Sequence, residues 1–114
     1  MNIKTAELTG SALDWAVAKC EGIKLNEGNT LSNDCDVYAP STDWSQGGAI
    51  IEREEISISR EFSSGRVQWK AWFPAIIQGR YGLKPACYGE TPLAAAMRCY
   101  VASKLGDEVD VPIV

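Results

Sequence analysis

The 114-residue chain reads as an α+β protein: a small antiparallel sheet with two main helices, in an α/β/α sandwich-like single domain. Three observations predict this. Segments 11–21 and 91–106 repeat apolar residues at helical spacing between recognisable caps. Between them, apolar and polar residues alternate on both sides of a glycine-containing turn. The 46% hydrophobic share is that of an ordinary folded domain. One domain over 1–114 should bury roughly two-thirds of the surface its unfolded chain exposes.

The elements follow in chain order. Met1 to Thr5 hold no apolar leader core, and no run approaches the ~18 apolar residues of a membrane span. Ser11 is placed to cap a first helix, with Asp14 three residues on. Leu13, Ala16, Val17 and Cys20 form its apolar face, and Gly22 stops it. Ile23-Lys24-Leu25 alternates as a short strand, and the polar residues 26–36 read as a surface loop. Tyr38 to Gly48 reads as a second loop, with one helical turn expected over Ile50 to Glu55. Ile56, Ile58 and Phe62 alternate with Ser57 and Ser59 as a half-buried strand, and Arg60 shares the apolar parity near its edge. Ser63-Ser64-Gly65 is a hairpin loop. The return strand puts Val67, Trp69, Ala71 and Phe73 on one face and Gln68, Lys70 and Trp72 on the other, ending at Pro74. Residues 74–89 look irregular, with room for one more strand. The last helix has Thr91 at its N-cap, Pro92 in the first turn, the stripe Leu93, Ala96, Met97, Tyr100, Val101 and Leu105, and Gly106 at its end. Val109 and Val111 suit a short edge strand.

Composition removes several function classes. Without histidine the chain lacks the usual near-neutral general base, Ser-His and Cys-His pairs, and imidazole metal ligands. Fifteen acids against eleven bases make nucleic acid an unexpected partner, because counterion release would supply little energy unless the bases cluster. Cys20, Cys35, Cys87 and Cys99 include no C-x-x-C pair, so zinc is not expected. Cys20 and Cys99 read as small core residues on helices, while Cys35 and Cys87 lie in loop-like sequence with no neighbour that would lower a thiol pKa. Asp34 and Asp36 lack the ligand ladder of a calcium loop. Gly47-Gly48 lacks both the P-loop and the dinucleotide patterns. Neither a metal nor a cofactor is expected. Glu52, Glu54 and Glu55 read as a solvated helix end or as carboxylates for acid–base work.

Two stretches remain as candidate binding surfaces. In the first, Tyr38, Ser41, Thr42, Asp43, Trp44, Gln46, Gly47 and Gly48 surround a turn stiffened by Pro40. Trp44 either stacks on a ligand beside free amides or plugs the core while the turn organises the chain. In the second, Trp72 and Arg80 belong to a run of interleaved rings and bases. Trp72 is either covered by a helix or exposed as a platform. Arg98 serves either as a flanking ion pair or as a ligand contact.

Three ordered blocks carry a resemblance: Lys4 to Gly10 leading into Ala12 to Lys19; Pro40 to Gly48 with Ile50 to Glu54; and Thr91 to Gly106. Together they resemble the phage NinX family of small proteins of unassigned function, which is related to the phage ABA-sandwich domains. The resemblance implies a temperate-phage accessory protein of the host cytoplasm, with a sandwich fold and no catalytic motif. Residues 24–37 and 60–89 depart from the family pattern and are expected to hold the partner-specific surface. The expected function is non-enzymatic: countering host antiphage defence by binding, with a small nucleotide immune signal as the first ligand to test. A pocket closed by a homo-oligomer is expected with it. One alternative is a protein-binding inhibitor of a host or phage protein, docking through the Trp72 face. A more distant one is a metal-assisted nucleotide hydrolase using Asp43 with Glu52, Glu54 and Glu55.

Overall fold

Helix α3, Pro92–Leu105, is the element around which the rest assembles. In the computed structural model, which describes residues 2–26, 37–74 and 86–112, Leu93, Ala95, Ala96, Met97, Cys99, Tyr100 and Val101 of this helix are all buried. Its ends are the expected ones. Thr91 Oγ1 accepts from the Ala94 amide at 3.0 Å, and the Gly106 amide donates to Ala102 O at 3.0 Å. Small residues at 94, 95, 96 and 102 let neighbours approach closely. All three strands of the sheet and both other helices pack against α3.

That sheet is antiparallel in the order β2–β3–β4, with β2 Ser57–Ser63, β3 Arg66–Trp72 and β4 Cys87–Gly89. Ser64 (φ 53°) and Gly65 (φ 76°) form the two-residue hairpin loop, whose type needs positive φ at both positions. The register sets Ile58 opposite Ala71 and Phe62 opposite Val67 on the face toward α3. Ala71 and Phe73 are fully inside, but this apolar face runs past the end of the core: Phe62 is 72% exposed and Val67 47%. Strand β4 is the extra strand for which 74–89 had room. It runs so close to α3 that a Cβ on Gly89 would stand 2.7 Å from the Ala95 amide nitrogen.

Helix α1, Gly10–Glu21, buries Leu13, Ala16 and Val17 as expected, with Cys20 half-buried. Its cap lies two residues earlier than predicted. Thr9 is the N-cap and makes no side-chain cap bond, so Ser11 lies inside the first turn. Gly22 (φ 73°) closes it in the left-handed conformation, and Ile23 N donates to Ala18 O at 2.9 Å. That bond takes the amide a strand would need. Residues 23–25 therefore form no strand, and Ile23 and Leu25 instead pack at the edge of the core.

The largest correction concerns 44–54. The expected loop to Gly48 and single turn beyond it are one helix, α2, Trp44–Glu54. Gly47 and Gly48 do not interrupt it, since a glycine costs only about 1 kcal/mol in a helix. Gly47 is there for packing. A Cβ at that position would lie 2.2 Å from Pro40 O and 2.7 Å from Leu93 Cδ2, so only glycine lets α2 sit against both. Asp43 caps the helix through the Ser45 amide at 2.9 Å.

The chain ends meet in a second small sheet. Strand β1, Asn2–Lys4, pairs antiparallel with β5, Glu108–Asp110, setting Ile3 opposite Val109. Thr5 Oγ1 donates to Gly106 O at 2.6 Å beside this pair. The expected C-terminal edge strand is therefore present. Its partner β1 was not anticipated, because three residues with one apolar member carry no readable period.

Candidate functional site

A cleft of about 860 Å³ opens where the two sheets, the start of α1 and the flank of α3 converge. Three bases reach it: Lys4 at the end of β1, Arg66 at the start of β3, and Arg98 on α3. Arg98 is held from inside. Its Nε donates to Leu8 O at 2.8 Å and its Nη1 to Tyr88 O at 2.7 Å. Burial pulls its pKa down, opposed by Cys87 and Glu90 nearby. A guanidinium has five N–H donors in a fixed fork. Two carbonyls therefore fix the group's position without exhausting its donors. Thr9 and Gly10 bring the start of α1 to the same space. Glu90, Asp107 and Glu108 also line it, so the cleft carries both signs of charge.

The block from Tyr38 to Gly48 is mostly architecture. Tyr38 is buried, and burial with Glu21 and Asp14 nearby pushes its phenol up to about 12. Ser41 N donates to Asp14 Oδ1 at 2.8 Å, tying the turn to α1. The Ser41 hydroxyl is buried beside that carboxylate without completing a hydrogen bond of good geometry. Burial raises the Asp14 pKa, and Ser41 partly offsets it. Gln46 folds back over the turn, accepting from Ala39 N at 2.8 Å and donating to Val37 O at 3.2 Å. Gly47 is packed shut, whereas Gly48 lies under the Trp44 ring.

A second charged cluster ties the three helices together on the far ends of α1 and α2. Arg53 binds Glu21 through both terminal nitrogens, at 2.8 and 2.6 Å, and Glu54 through Nε at 2.8 Å. Tyr100 O–H donates to Glu21 Oε2. The hydrogen bonds from Arg53, and then that from Tyr100, hold the Glu21 pKa below its ordinary value against the effect of burial. Glu54 is buried in this cluster, while Glu52 and Glu55 are exposed. Asp43 and Glu54 sit at opposite ends of an eleven-residue helix, about 16 Å apart along its axis. The acids assigned to a hydrolase thus do not share a site.

Of the residues singled out from sequence, the cleft brings together Ser41, Thr42 and Arg98. Neither Trp44 nor Trp72 lines it. Trp44 is 55% exposed at the first turn of α2. Trp72 is half-buried opposite Ser57, with the Lys70 ammonium 5.3 Å from its ring centre. The two rings therefore do not meet in a shared cleft. Arg80 lies outside the described residues. Sequence reading missed Lys4 and Arg66, because only the β1–β5 pairing and the hairpin register carry them to Arg98. It also missed the neighbourhood of Cys87. That residue is on strand β4, where the Cys99 thiol hydrogen-bonds it and Arg98 stands near, and its pKa is lowered.

A family model described as Bacteriophage P22, NinX matches residues 4–104. No curated protein matches the chain.

Proposed function

Because the chain belongs to the NinX family of bacteriophage P22, we propose that it is a phage accessory protein that acts in the host cytoplasm by binding, countering host antiphage defence by sequestering a small nucleotide immune signal. One observation carries this reading: the clamped Arg98 guanidinium faces an 860 Å³ cleft that Lys4 and Arg66 also line. That volume lies within the usual range of small-molecule sites. Guanidinium and ammonium groups suit phosphates, and the acids of the cleft suit ribose hydroxyls and exocyclic amines. The global charge of −4 requires such a local concentration of bases for any anionic ligand. No helix among the described residues is long and apolar enough to cross a membrane. Calorimetry against cyclic dinucleotides and cyclic ADP-ribose isomers tests the reading. One member should bind, and Arg66→Glu should weaken it at least about tenfold, since it replaces an attractive charge by a repulsive one. Absence of binding by every member at concentrations on the order of tens of micromolar would sink it. Light scattering with and without the bound member tests the homo-oligomer that would close the cleft.

The exposed Phe62–Val67 pair at the hairpin tip favours a second reading, docking to a host or phage protein. Its surface differs from the Trp72 face expected from sequence, because the Trp72 ring is half-buried and lies beneath Lys70. A stoichiometric partner recovered from infected cells by the wild-type chain, and lost with Phe62→Ser, would select this reading over the nucleotide one.

A further inference from the structure

The cleft wall also holds two thiols that the binding reading does not use. Cys87 on β4 and Cys99 on α3 both line the cleft; Cys87 shares the strand face of Gly89 and Cys99 lies one helical turn beyond Ala95, so the close approach of Gly89 to Ala95 sets the two thiols on facing sides. Strand β4 is pressed onto α3 at Gly89, two residues from Cys87, which brings the two backbones together there. We propose that Cys87 is a peroxide-reactive thiol and that Cys99 resolves its oxidised form, giving a reversible Cys87–Cys99 disulfide in the cleft wall.

The two sulfurs are unlike in ways that suit these roles. Cys87 is half-buried and open to the cleft, whereas Cys99 is 3% exposed. The Cys99 hydrogen bond, helped by the Arg98 charge, holds the Cys87 pKa down against burial and the repulsion of Asp107. The same hydrogen bond and burial raise that of Cys99, so Cys99 stays the proton-bearing partner. Thiolate, not thiol, is the nucleophile. The Cys87 thiolate attacks one oxygen of hydrogen peroxide or an alkyl hydroperoxide. The O–O bond breaks, the displaced oxygen leaves as hydroxide or alkoxide and takes a proton from water, and Cys87 becomes a sulfenic acid. With the Cys87 thiolate consumed, its charge no longer opposes ionisation of Cys99; the Cys99 proton passes to the sulfenic hydroxyl as the Cys99 thiolate attacks the Cys87 sulfur. The S–O bond breaks, and the hydroxyl leaves as water. In sum, two thiols and one peroxide yield one disulfide, one water and one further water or alcohol. The two electrons that reduce the O–O bond come from the two sulfurs.

Cys20 is the internal control. It is absent from the cleft lining, and burial together with Glu21 pushes its pKa up to about 11. The reduced full chain would be treated with hydrogen peroxide, digested and mapped by mass spectrometry. The expected product is a cross-linked peptide containing Cys87 and Cys99, lost on adding dithiothreitol. In the untreated chain near pH 7, iodoacetamide should modify Cys87 at least about tenfold faster than Cys20. Cys99→Ala should leave a dimedone-reactive sulfenic acid at Cys87. A missing Cys87–Cys99 peptide, or alkylation of Cys87 no faster than of Cys20, overturns the proposal. Both of these readouts use the wild-type chain and do not depend on the variant's folding.

Discussion

Replacing Gly47 by alanine should destabilise the protein, while the same change one residue later should not. In a helix interior alanine is ordinarily favoured over glycine by about 1 kcal/mol. At Gly48 the added Cβ would lie 3.7 Å from Trp44 Cε3, an ordinary contact, so Gly48→Ala should gain about 0.5–1 kcal/mol. At Gly47 the added carbon would meet Pro40 O at 2.2 Å and Leu93 Cδ2 at 2.7 Å. The leucine methyl can rotate; the backbone carbonyl cannot. Restoring normal contact requires the 39–43 turn to retreat by about 1 Å from α2. That movement strains the Asp43 cap and the Ser41–Asp14 bond, each worth about 1 kcal/mol. Adding an overpacking cost of about 1–3 kcal/mol and subtracting the helix gain of about 1 kcal/mol leaves a net loss of about 2–4 kcal/mol. For a domain of this size the loss corresponds to a fall in Tm of roughly 10 °C. Urea and thermal unfolding, followed by tryptophan fluorescence and circular dichroism, measure both variants. A Gly47→Ala protein as stable as the wild type would refute the packing of α2 on Pro40 and Leu93. It would restore the loop reading of 44–48.

Two further outcomes are expected. Arg53→Met takes the guanidinium away from the Glu21 and Glu54 carboxylates; because the Arg53 side chain is half exposed, the loss at pH 7 should be about 1–2 kcal/mol in urea unfolding. The Glu21 pKa is lowered in the folded state, so its contribution is complete above the ordinary value of 4.5 and vanishes as pH falls through the folded value. The wild type should therefore lose stability in acid, and Arg53→Met should show a shallower loss, read from midpoints across a pH series. Thr91→Ala removes the side-chain cap of α3 and should cost about 1 kcal/mol in the same assay, whereas Thr91→Ser should retain most of it.

Helix α3 was legible to within a residue at either end, because every signal for it is local: a capping hydroxyl, a proline in the first turn, an apolar stripe and a closing glycine. The hairpin was legible for the same reason, through its alternation and the Ser64-Gly65 turn. Helix α2 was not. Its glycines answer to Pro40 and Leu93, which only the folded chain brings near, and out of that context they signal a break. Arg98 was visible as a candidate, but its choice of partners was not. It neither pairs with a flanking acid nor lies free, since it is clamped by carbonyls from residues 8 and 88.

The sequence by itself determined the class of the fold, the family and the range of chemistry the chain can offer: no imidazole, a surplus of acids, and stacking, amide and guanidinium groups as the means of recognition. These follow from residue types and from spacings within one element. Only the tertiary structure decided which of those groups meet. The pairing of the two chain ends, the hairpin register and the closeness of β4 to α3 place Lys4, Arg66, Arg98, Cys87 and Cys99 around one cleft, and keep Trp44 and Trp72 out of it. Contacts between residues tens of positions apart are set by the simultaneous burial of all the apolar faces. No local period records them.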